Sequence, residues 1–145
     1  MNKTKLLLLI IISVLLIVVF QLYGSNQSSS NNINEIADPM TENILIAMNQ
    51  DNYPRFSKDF DSQLKTMLNE TVYQQKIPEI KSKIGQYQSK QFVSSKDKGG
   101  YTIVFYKAKF SQEPEEVIVQ SILSQEDGKY FISGFWLDSP NLHNK

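Results

Sequence analysis

The residue types that most often perform catalysis are scarce in this sequence. The chain has no cysteine and a single histidine, His143, which lies in the polar tail after the last predicted strand. A cysteine nucleophile, a thiolate metal site and a lipid-modified cysteine are therefore excluded. One histidine in a tail also makes a catalytic triad or a histidine-rich metal site unattainable.

A carboxylate in an apolar pocket is the remaining route to catalysis, because burial raises the pKa of the carboxyl group toward values that suit proton transfer. Three predicted strands, 101–110, 117–124 and 129–137, contain no acidic residue. Acids stand at turns and helix starts instead, and Asp59 is the one that we would first expect to point inward. We predict no catalytic, metal-ligating or cofactor-binding residue, and no cofactor.

Lysines are concentrated between residues 76 and 109, where only Glu79 and Asp97 oppose them. One interpretation is attraction to an anionic surface such as lipid headgroups or wall polymer. The other, which we favour, is a solvated helix face together with an edge strand protected by lysines. Over the whole chain 15 basic residues balance 15 acidic ones, so we predict no nucleic-acid partner.

The N-terminus carries an almost uninterrupted apolar run from Leu6 to Tyr23, preceded by Lys3 and Lys5. This run approaches the lower limit of about 17 residues for a spanning helix, and no good cleavage site follows it. We predict a single-pass membrane segment with the N-terminus in the cytoplasm and the domain outside, because lysines favour the cytoplasmic side. The alternative is a cleaved signal peptide and a secreted domain.

Composition divides the chain into four regions. Residues 1–23 form the anchor or signal segment, and residues 24–35, rich in Ser and Asn, form a flexible linker. Residues 36–138 alternate between helical and strand periodicity and form the extracytoplasmic domain. Residues 139–145 form a short tail.

Helical spacing predicts three helices in this domain. Asp38-Pro39 is a typical helix start, with a capping side chain and proline at the first helical position. A second helix begins at Ser57. A third is capped by Asn69 and stopped by Gly85, and Pro78 should kink or split it. The second helix presents one apolar side, formed by Phe60, Leu64, Met67 and Leu68.

After Gly85 the apolar period changes to two, which predicts strands at 86–95, 100–110, 117–124 and 129–137. The connections are short, so neighbouring strands should pair antiparallel. The predicted fold is α+β: a hydrophobic N-terminal helix, then three helices packed on a curved four-stranded antiparallel sheet.

Both faces of these strands are apolar. In the second strand, Tyr101, Ile103 and Phe105 alternate with Val104, Tyr106 and Phe110. Strict alternation in the last strand separates Ile132, Gly134 and Trp136 from Phe131, Ser133, Phe135 and Leu137. One helix layer covers one face, so the other would expose a larger apolar patch than monomers usually do.

We therefore name Tyr101, Ile103, Phe105 and Trp136 as candidate pocket or interface residues. A second copy of the domain is the favoured cover for the apolar face, and an unidentified envelope partner is the alternative. A monomer closed by its own loops and a small apolar ligand are further occupants that the pattern allows.

Three segments of the sequence resemble a known family: ADPMTENILIAMNQDNYPRFSKDFD, GGYTIVFYKAKF and EDGKYFISGFWLD. The chain is similar, over Ile36–Asp138, to the domain of unknown function 3887 family of small extracytoplasmic prokaryotic domains. That family is grouped with the nuclear transport factor two-like, or cystatin-like, folds. The resemblance implies a cone-shaped sheet wrapped around helices, often with a pocket and often dimeric through the outer face. It implies no catalytic residue.

These observations predict a membrane-tethered, extracytoplasmic binding or interaction module, not an enzyme, that self-associates through its sheet. The alternative is a small-molecule enzyme of the isomerase or cyclase kind, with a carboxylate in the cone pocket. A purely structural envelope protein is the third class considered.

Overall fold

The structure, a computed structural model, describes residues 32–143. The predicted membrane segment, 1–23, lies outside the described residues, as does most of the predicted linker. Internal contacts make Asn34–Lys145 one compact unit, and the account below concerns that unit together with the helical residues 32 and 33 that precede it. None of the helices in the described range is long and apolar enough to cross a membrane.

The described chain is mixed α+β, with helices before and after one sheet. Helix α1 includes residues 32–50. It is followed by α2 (Tyr53–Phe56), α3 (Ser62–Met67) and α4 (Glu70–Ile84). Four strands come next: β1 (Tyr87–Lys98), β2 (Tyr101–Phe110), β3 (Glu113–Glu126) and β4 (Lys129–Asp138). A short helix, α5 (Pro140–His143), ends the described range.

The predicted start of the first helix at Asp38-Pro39 is wrong. The helix already includes residues 32–35, the last four of the predicted linker. Ala37, Thr41 and Ile44 are buried on one side of α1, and burial of this stripe outweighs the single backbone donor that Pro39 lacks. The Asp38 carboxylate binds the Lys90 ammonium group at 2.6 Å.

The second predicted helix is also corrected. The chain forms two short helices, and the Asn52 and Asp61 side chains cap them by accepting from the backbone N–H groups of Arg55 and Leu64. Phe60 lies between the helices in a bridge with Ile132 of β4. The four residues predicted to form one apolar helix side therefore do not share a helix, because Phe60 and Leu68 lie outside α3. Met67 is 63 % exposed.

Both ends of helix α4 lie where the sequence predicts them. Asn69 caps its start by accepting from the Val72 N–H group, and Gly85 ends it with a φ of 78°. Pro78 does not split the helix. Pro78 has no N–H group to donate to the Gln74 carbonyl oxygen, four residues earlier. Both residues lie on the exposed side of α4, so water can bind this oxygen instead.

The sheet has the predicted order, β1-β2-β3-β4, with every neighbouring pair antiparallel. The strands are longer than predicted because the turns are tighter. Gly99-Gly100 and Asp127-Gly128 all have positive φ, which is the geometry of two-residue hairpin turns that match strand twist. Residues 96–98, predicted as a turn, and residues 113–116 therefore belong to strands.

One face of the sheet forms the core with the helices. Its buried side chains are Val104, Tyr106, Ala108, Phe110, Val117, Val119, Ser121, Leu123 and Ile132. The Thr41 and Ser121 hydroxyls hydrogen-bond at 2.7 Å, and the Phe60–Ile132 bridge joins the helical segment to β4. Burial of each large apolar side chain here contributes about 1.5–3 kcal/mol.

Ile132 is the central test of this packing, because its side chain is fully buried where the helical segment contacts β4. We expect Ile132→Ala to lower the free energy of unfolding by about 2–5 kcal/mol, since removal of a buried aliphatic side chain leaves a cavity. Urea denaturation measures the change. Val93→Ala, at a position that is 49 % exposed, is the control and should shift the free energy by less than about 1 kcal/mol; equal losses would contradict the packing.

Candidate functional site

The sheet face opposite the helices carries the four candidate residues. Residues that pair directly across strands point to the same side. Phe105 pairs with Gln120, which pairs with Trp136, so these three form one row across β2, β3 and β4. The neighbouring row contains Ile103, Ile122 and Gly134. We call this surface the outer face; it also includes Tyr101, Ile118 and Phe131.

Trp136 joins this face because of a β-bulge. Ile122 pairs with Gly134 but Leu123 pairs with Ile132, so Ser133 is an extra residue in β4. An extra residue reverses the alternation that follows it. The sequence-based grouping of Trp136 with Ile132 is therefore wrong: Ile132 points toward the helices, whereas Trp136 points outward.

The bulge also turns one aromatic and one aliphatic side chain, Phe135 and Leu137, toward the helices. Phe135 pairs with Ser121 and Leu137 pairs with Val119, and Ser121 and Val119 are buried on the helix side of the sheet. Phe131 precedes the bulge and pairs with Ser124 on the outer face. Both faces of β4 are therefore apolar, but with a different division of residues from the one that strict alternation predicts.

Charged residues border the apolar centre of the outer face at both ends. At one end Lys107 forms an ion pair with Glu116 at 2.9 Å, and Asp138 lies in the same row. At the other end Lys129 pairs with Glu126 across the turn. The Lys129 and Lys96 ammonium groups lie 5.1 Å and 5.3 Å from the ring centres of Phe131 and Phe105. These are cation–π distances.

The outer face is accessible within the described chain. Trp136 is 60 % exposed and Tyr101 is 47 % exposed, while Ile103 and Phe105 are half-buried by their neighbours. An apolar centre with a charged border is the usual anatomy of a protein–protein interface. Exposed tryptophan and tyrosine are the side chains most enriched among residues that dominate binding energy.

Asp59, the acid that we expected first to point inward, is half-buried beside α1. Its carboxylate accepts a hydrogen bond of 3.3 Å from the Asn43 side-chain amide, and its backbone carbonyl accepts from the Ile132 N–H group. These contacts hold the 59–61 segment against β4. They give Asp59 a structural role.

A buried charge cluster that the sequence did not reveal lies between α1, β1 and β2. The side chain of Lys90 is only 4 % exposed, and its ammonium group lies 2.6 Å from Asp38 and 2.8 Å from Glu42. The same group lies 5.1 Å from the ring centre of Tyr106, and the Tyr87 hydroxyl donates to Glu42 at 2.8 Å. We call these five residues the Lys90 cluster.

The sequence places Lys90 among the lysines that we predict to be solvated, because a single lysine in a polar strand gives no sign of burial. The spacing of Asp38 and Glu42, four residues apart on α1, is the one available signal, since it places both carboxylates on one helix face. The lysine-rich stretch is in fact mixed. Lys107 forms an exposed ion pair with Glu116 of β3, whereas the side chain of Lys90 is almost fully enclosed.

Burial also changes the acidity of three phenol groups. Burial and the Asp51 charge raise the pKa of Tyr73 to about 12, and its hydroxyl donates to the Ala47 carbonyl at 2.8 Å. Burial first, and then the hydrogen bond and charge of Glu42, raise the pKa of Tyr87. Burial raises the pKa of Tyr106. All three phenols remain protonated donors at neutral pH.

Two ionisable side chains near the C-terminal helix have structural partners. His143 binds the Asp138 carboxylate, and the buried Glu113 carboxylate accepts from the Asn141 backbone N–H group at 3.1 Å. Within residues 32–143, no three histidine or acidic side chains lie close enough together to hold a metal ion.

The Lys90 cluster predicts an asymmetric response to mutation. Replacing both acids by amides, Asp38→Asn with Glu42→Gln, leaves a buried ammonium group without a counter-charge, and we expect a loss of about 3–5 kcal/mol. Lys90→Met leaves carboxylates that are 46 % and 35 % exposed, so the loss should be smaller, about 1–3 kcal/mol. Urea denaturation at neutral pH compares them.

The control for this comparison is Lys107→Met, which removes an exposed ion pair and should cost no more than about 1 kcal/mol. If Lys90→Met were more destabilising than the double amide variant, the buried ammonium group would not be the costly partner.

The tyrosines predict a loss of stability at alkaline pH. Above the ordinary phenol pKa of about 10, the unfolded chain releases protons that folded Tyr73, Tyr87 and Tyr106 retain. The free energy of unfolding should therefore fall as pH rises beyond that value and be unaffected by these groups below it. Denaturation at increasing pH measures the slope. Tyr73→Phe should make this slope less steep, and an unchanged slope in that variant would contradict the prediction.

Comparison with known proteins identifies the family of the chain but does not indicate its function. A search of curated proteins and a search of solved structures each found no significant match. A family model described as "Protein of unknown function (DUF3887)" matches residues 41–131, from α1 to the first three residues of β4. The matched range covers well over half of the sequence and includes three of the four candidate residues on the outer face. The chain belongs to this DUF3887 family.

Proposed function

We propose that the protein is a membrane-tethered, extracytoplasmic interaction module that associates with a second copy of itself through the outer face of its sheet. The accessible apolar row formed by Phe105 and Trp136, with Ile103 and Tyr101 beside it, is the observation that carries this proposal. Its role is recognition rather than catalysis.

The size of the outer face suits a small but specific dimer. Four strands spaced about 4.8 Å apart, and four rows of outward residues about 6.7 Å apart, give an area of about 500 Å² per copy. Two copies would bury about 1,000 Å² together, the lower limit for a specific interface. A larger interface between the two copies would also include the residues at the ends of the strands.

The charges at the border favour a second copy over a strongly charged partner. Each end of the face carries both signs, with Lys107 and Asp138 at one end and Glu126 and Lys129 at the other. A two-fold axis through the centre brings each end of one copy over an end of the other, so opposite charges can face each other. Such a mixed border disfavours a nucleic acid or an anionic membrane surface.

The proposal also includes a membrane anchor at the N-terminus and a curved, cone-shaped sheet in the domain. The apolar run from Leu6 to Tyr23, with Lys3 and Lys5 before it, supports a membrane anchor whose following domain lies outside. The bulges in β1, β3 and β4 support a curved sheet of the nuclear transport factor two-like kind. An anchored domain with one free sheet face is suited to pairing at the membrane surface.

Site-directed cross-linking of the full chain in detergent tests this proposal, since the natural sequence has no cysteine. Gln120→Cys places a thiol at the centre of the outer face. Packed sheets lie about 10 Å apart, so a short bifunctional maleimide should join two copies. Gln74→Cys, on the exposed side of α4, is the matched control and should not cross-link.

Trp136→Ser in the Gln120→Cys background should weaken self-association about 30-fold, since a central tryptophan in an interface contributes about 2 kcal/mol or more. The protein concentration that gives half-maximal cross-linking measures this change. Cross-linking at Gln74 as strong as at Gln120, or no effect of Trp136→Ser, would overturn association through this face.

A further inference from the structure

The second half of β4 is an open sheet edge. Strand β4 pairs with β3 on one side. On its other side the segment at Phe60 meets it at Ile132, whose N–H group donates to Asp59 and whose carbonyl accepts from Asp61. Within residues 32–143, no further backbone hydrogen bond reaches this edge between Ser133 and Asp138. The N–H and C=O groups that point away from β3 there are free to pair with another extended chain.

The two edges of the sheet differ in how they are protected against such pairing. The opposite edge strand, β1, contains three lysines and two register shifts, and charges and bulges both discourage the addition of a strand. In β4 no charged residue occurs from Tyr130 to Leu137. An unprotected apolar edge of this kind indicates a surface for strand pairing.

An apolar groove of about 520 Å³ runs along this open edge, between β4 and α4. Three consecutive residues of β4, Phe135, Trp136 and Leu137, line it. Successive side chains of a strand point to opposite faces, so a groove on one face alone would be lined by alternate residues. The groove therefore passes around the edge of the strand, and unpaired backbone forms part of its wall.

Both walls of the groove suit an extended chain. On α4 the lining stretch 72–83 is about 16 Å long at 1.5 Å per residue. Residues 133–138 of β4 extend over about 20 Å at 3.3 Å per residue. Phe135 and Leu137 point toward the helices and remain half-buried. Their apolar surface, together with Ile77 and Ile80 of α4, can therefore receive side chains that enter the groove.

The charged side chains of the groove already have partners. Lys76 lies 3.4 Å from Glu79, and His143 binds Asp138. Lys83 also has an interaction of its own. A charged occupant would be buried here without a free counter-charge, which is unfavourable. The groove therefore favours an uncharged occupant.

The surroundings of the open edge favour a single extended chain over the other occupants. Two copies that paired their β4 edges about a two-fold axis would carry both helix layers on the same side of the joined sheet, so the two α4 helices would meet over the groove. A small apolar molecule would leave the backbone groups of the edge unpaired. Residues 24–31 of this chain contain no apolar side chain to fill the groove.

We propose that an uncharged peptide segment of another protein binds here as an added strand. Its backbone hydrogen-bonds to β4 along residues 133–138, and apolar side chains at every second position enter the groove against α4. Peptide binding does not depend on self-association, because it uses the edge of β4 rather than the outer face. Trp136 borders both surfaces, so the variants that separate the two sites leave Trp136 unchanged.

Hydrogen–deuterium exchange of the full chain in lipid nanodiscs tests the site. The probe is a seven-residue peptide of alternating threonine and isoleucine with blocked ends and a solubilising polyethylene glycol chain, and empty nanodiscs correct for its partition into lipid. We expect slower exchange within residues 133–138 and no change in β1. Absence of protection at about 1 mM peptide, or equal protection of both edges, would overturn the proposal. Protection that rises with protein concentration without peptide would assign the edge to a second copy instead.

N-methylated peptides separate backbone pairing from apolar contact. An added strand uses the N–H groups of alternate residues only, so the proposal distinguishes a peptide methylated at its isoleucine amides from one methylated at the same number of threonine amides. One should bind like the unmodified peptide and the other at least about tenfold more weakly, because it lacks several hydrogen bonds. The direction of the added strand decides which one binds. Equal affinities would show binding through side chains alone and would overturn strand addition.

Variants locate the peptide. Ile80→Trp fills the groove and should weaken peptide binding at least about tenfold through steric exclusion. Val93→Trp, at a half-exposed position on β1, is the matched control and should leave the affinity unchanged. Cross-linking at Gln120→Cys, repeated in the Ile80→Trp background, measures self-association separately and should be unaffected. Urea denaturation verifies folding, and undiminished peptide affinity of a folded Ile80→Trp protein would overturn the site.

Discussion

A β-sheet has two faces, and within residues 32–143 one layer of helices covers only one of them. Side chains alternate along a strand, so a strand with large apolar residues at successive positions presents them to both sides. Val104 and Tyr106 of β2 are buried under the helices, while Ile103 and Phe105 remain on the outer face. Every functional inference about the outer face depends on this division, because helices cannot shelter both sets.

Two places where regular geometry is interrupted decide which residues are available for binding. The extra residue Ser133 turns Trp136 outward and Phe135 inward. Among the described residues, the segment at Phe60 hydrogen-bonds to β4 only at Ile132, so the following part of β4 has no hydrogen-bonded neighbour on that edge. The first interruption completes the apolar outer face, and the second leaves an apolar groove of about 520 Å³ between α4 and β4. A regular strand with a full-length neighbour would have provided neither.

The Lys90 cluster shows why burial and charge must be considered together. An ammonium group that is almost inaccessible to water is tolerated because Asp38 and Glu42 both contact it. The cluster joins α1 to β1, and the Tyr87 and Tyr106 hydroxyls add hydrogen bonds to Glu42 and Asn34 of α1. It fixes the position of the helix that covers the sheet. Asp38 and Glu42 are therefore part of the support of the fold.

Local signals in the sequence determined the α+β class, the antiparallel order of the strands, the cap at Asn69 and the stop at Gly85, because each depends on neighbours within a few residues. Tertiary structure alone decided the start of α1, the bulge at Ser133 and the burial of Lys90. Each of these results from contacts between residues far apart in the chain. Apolar burial overrides the signal of Pro39, pairing with β3 places the bulge, and two acids about fifty residues away enclose the lysine.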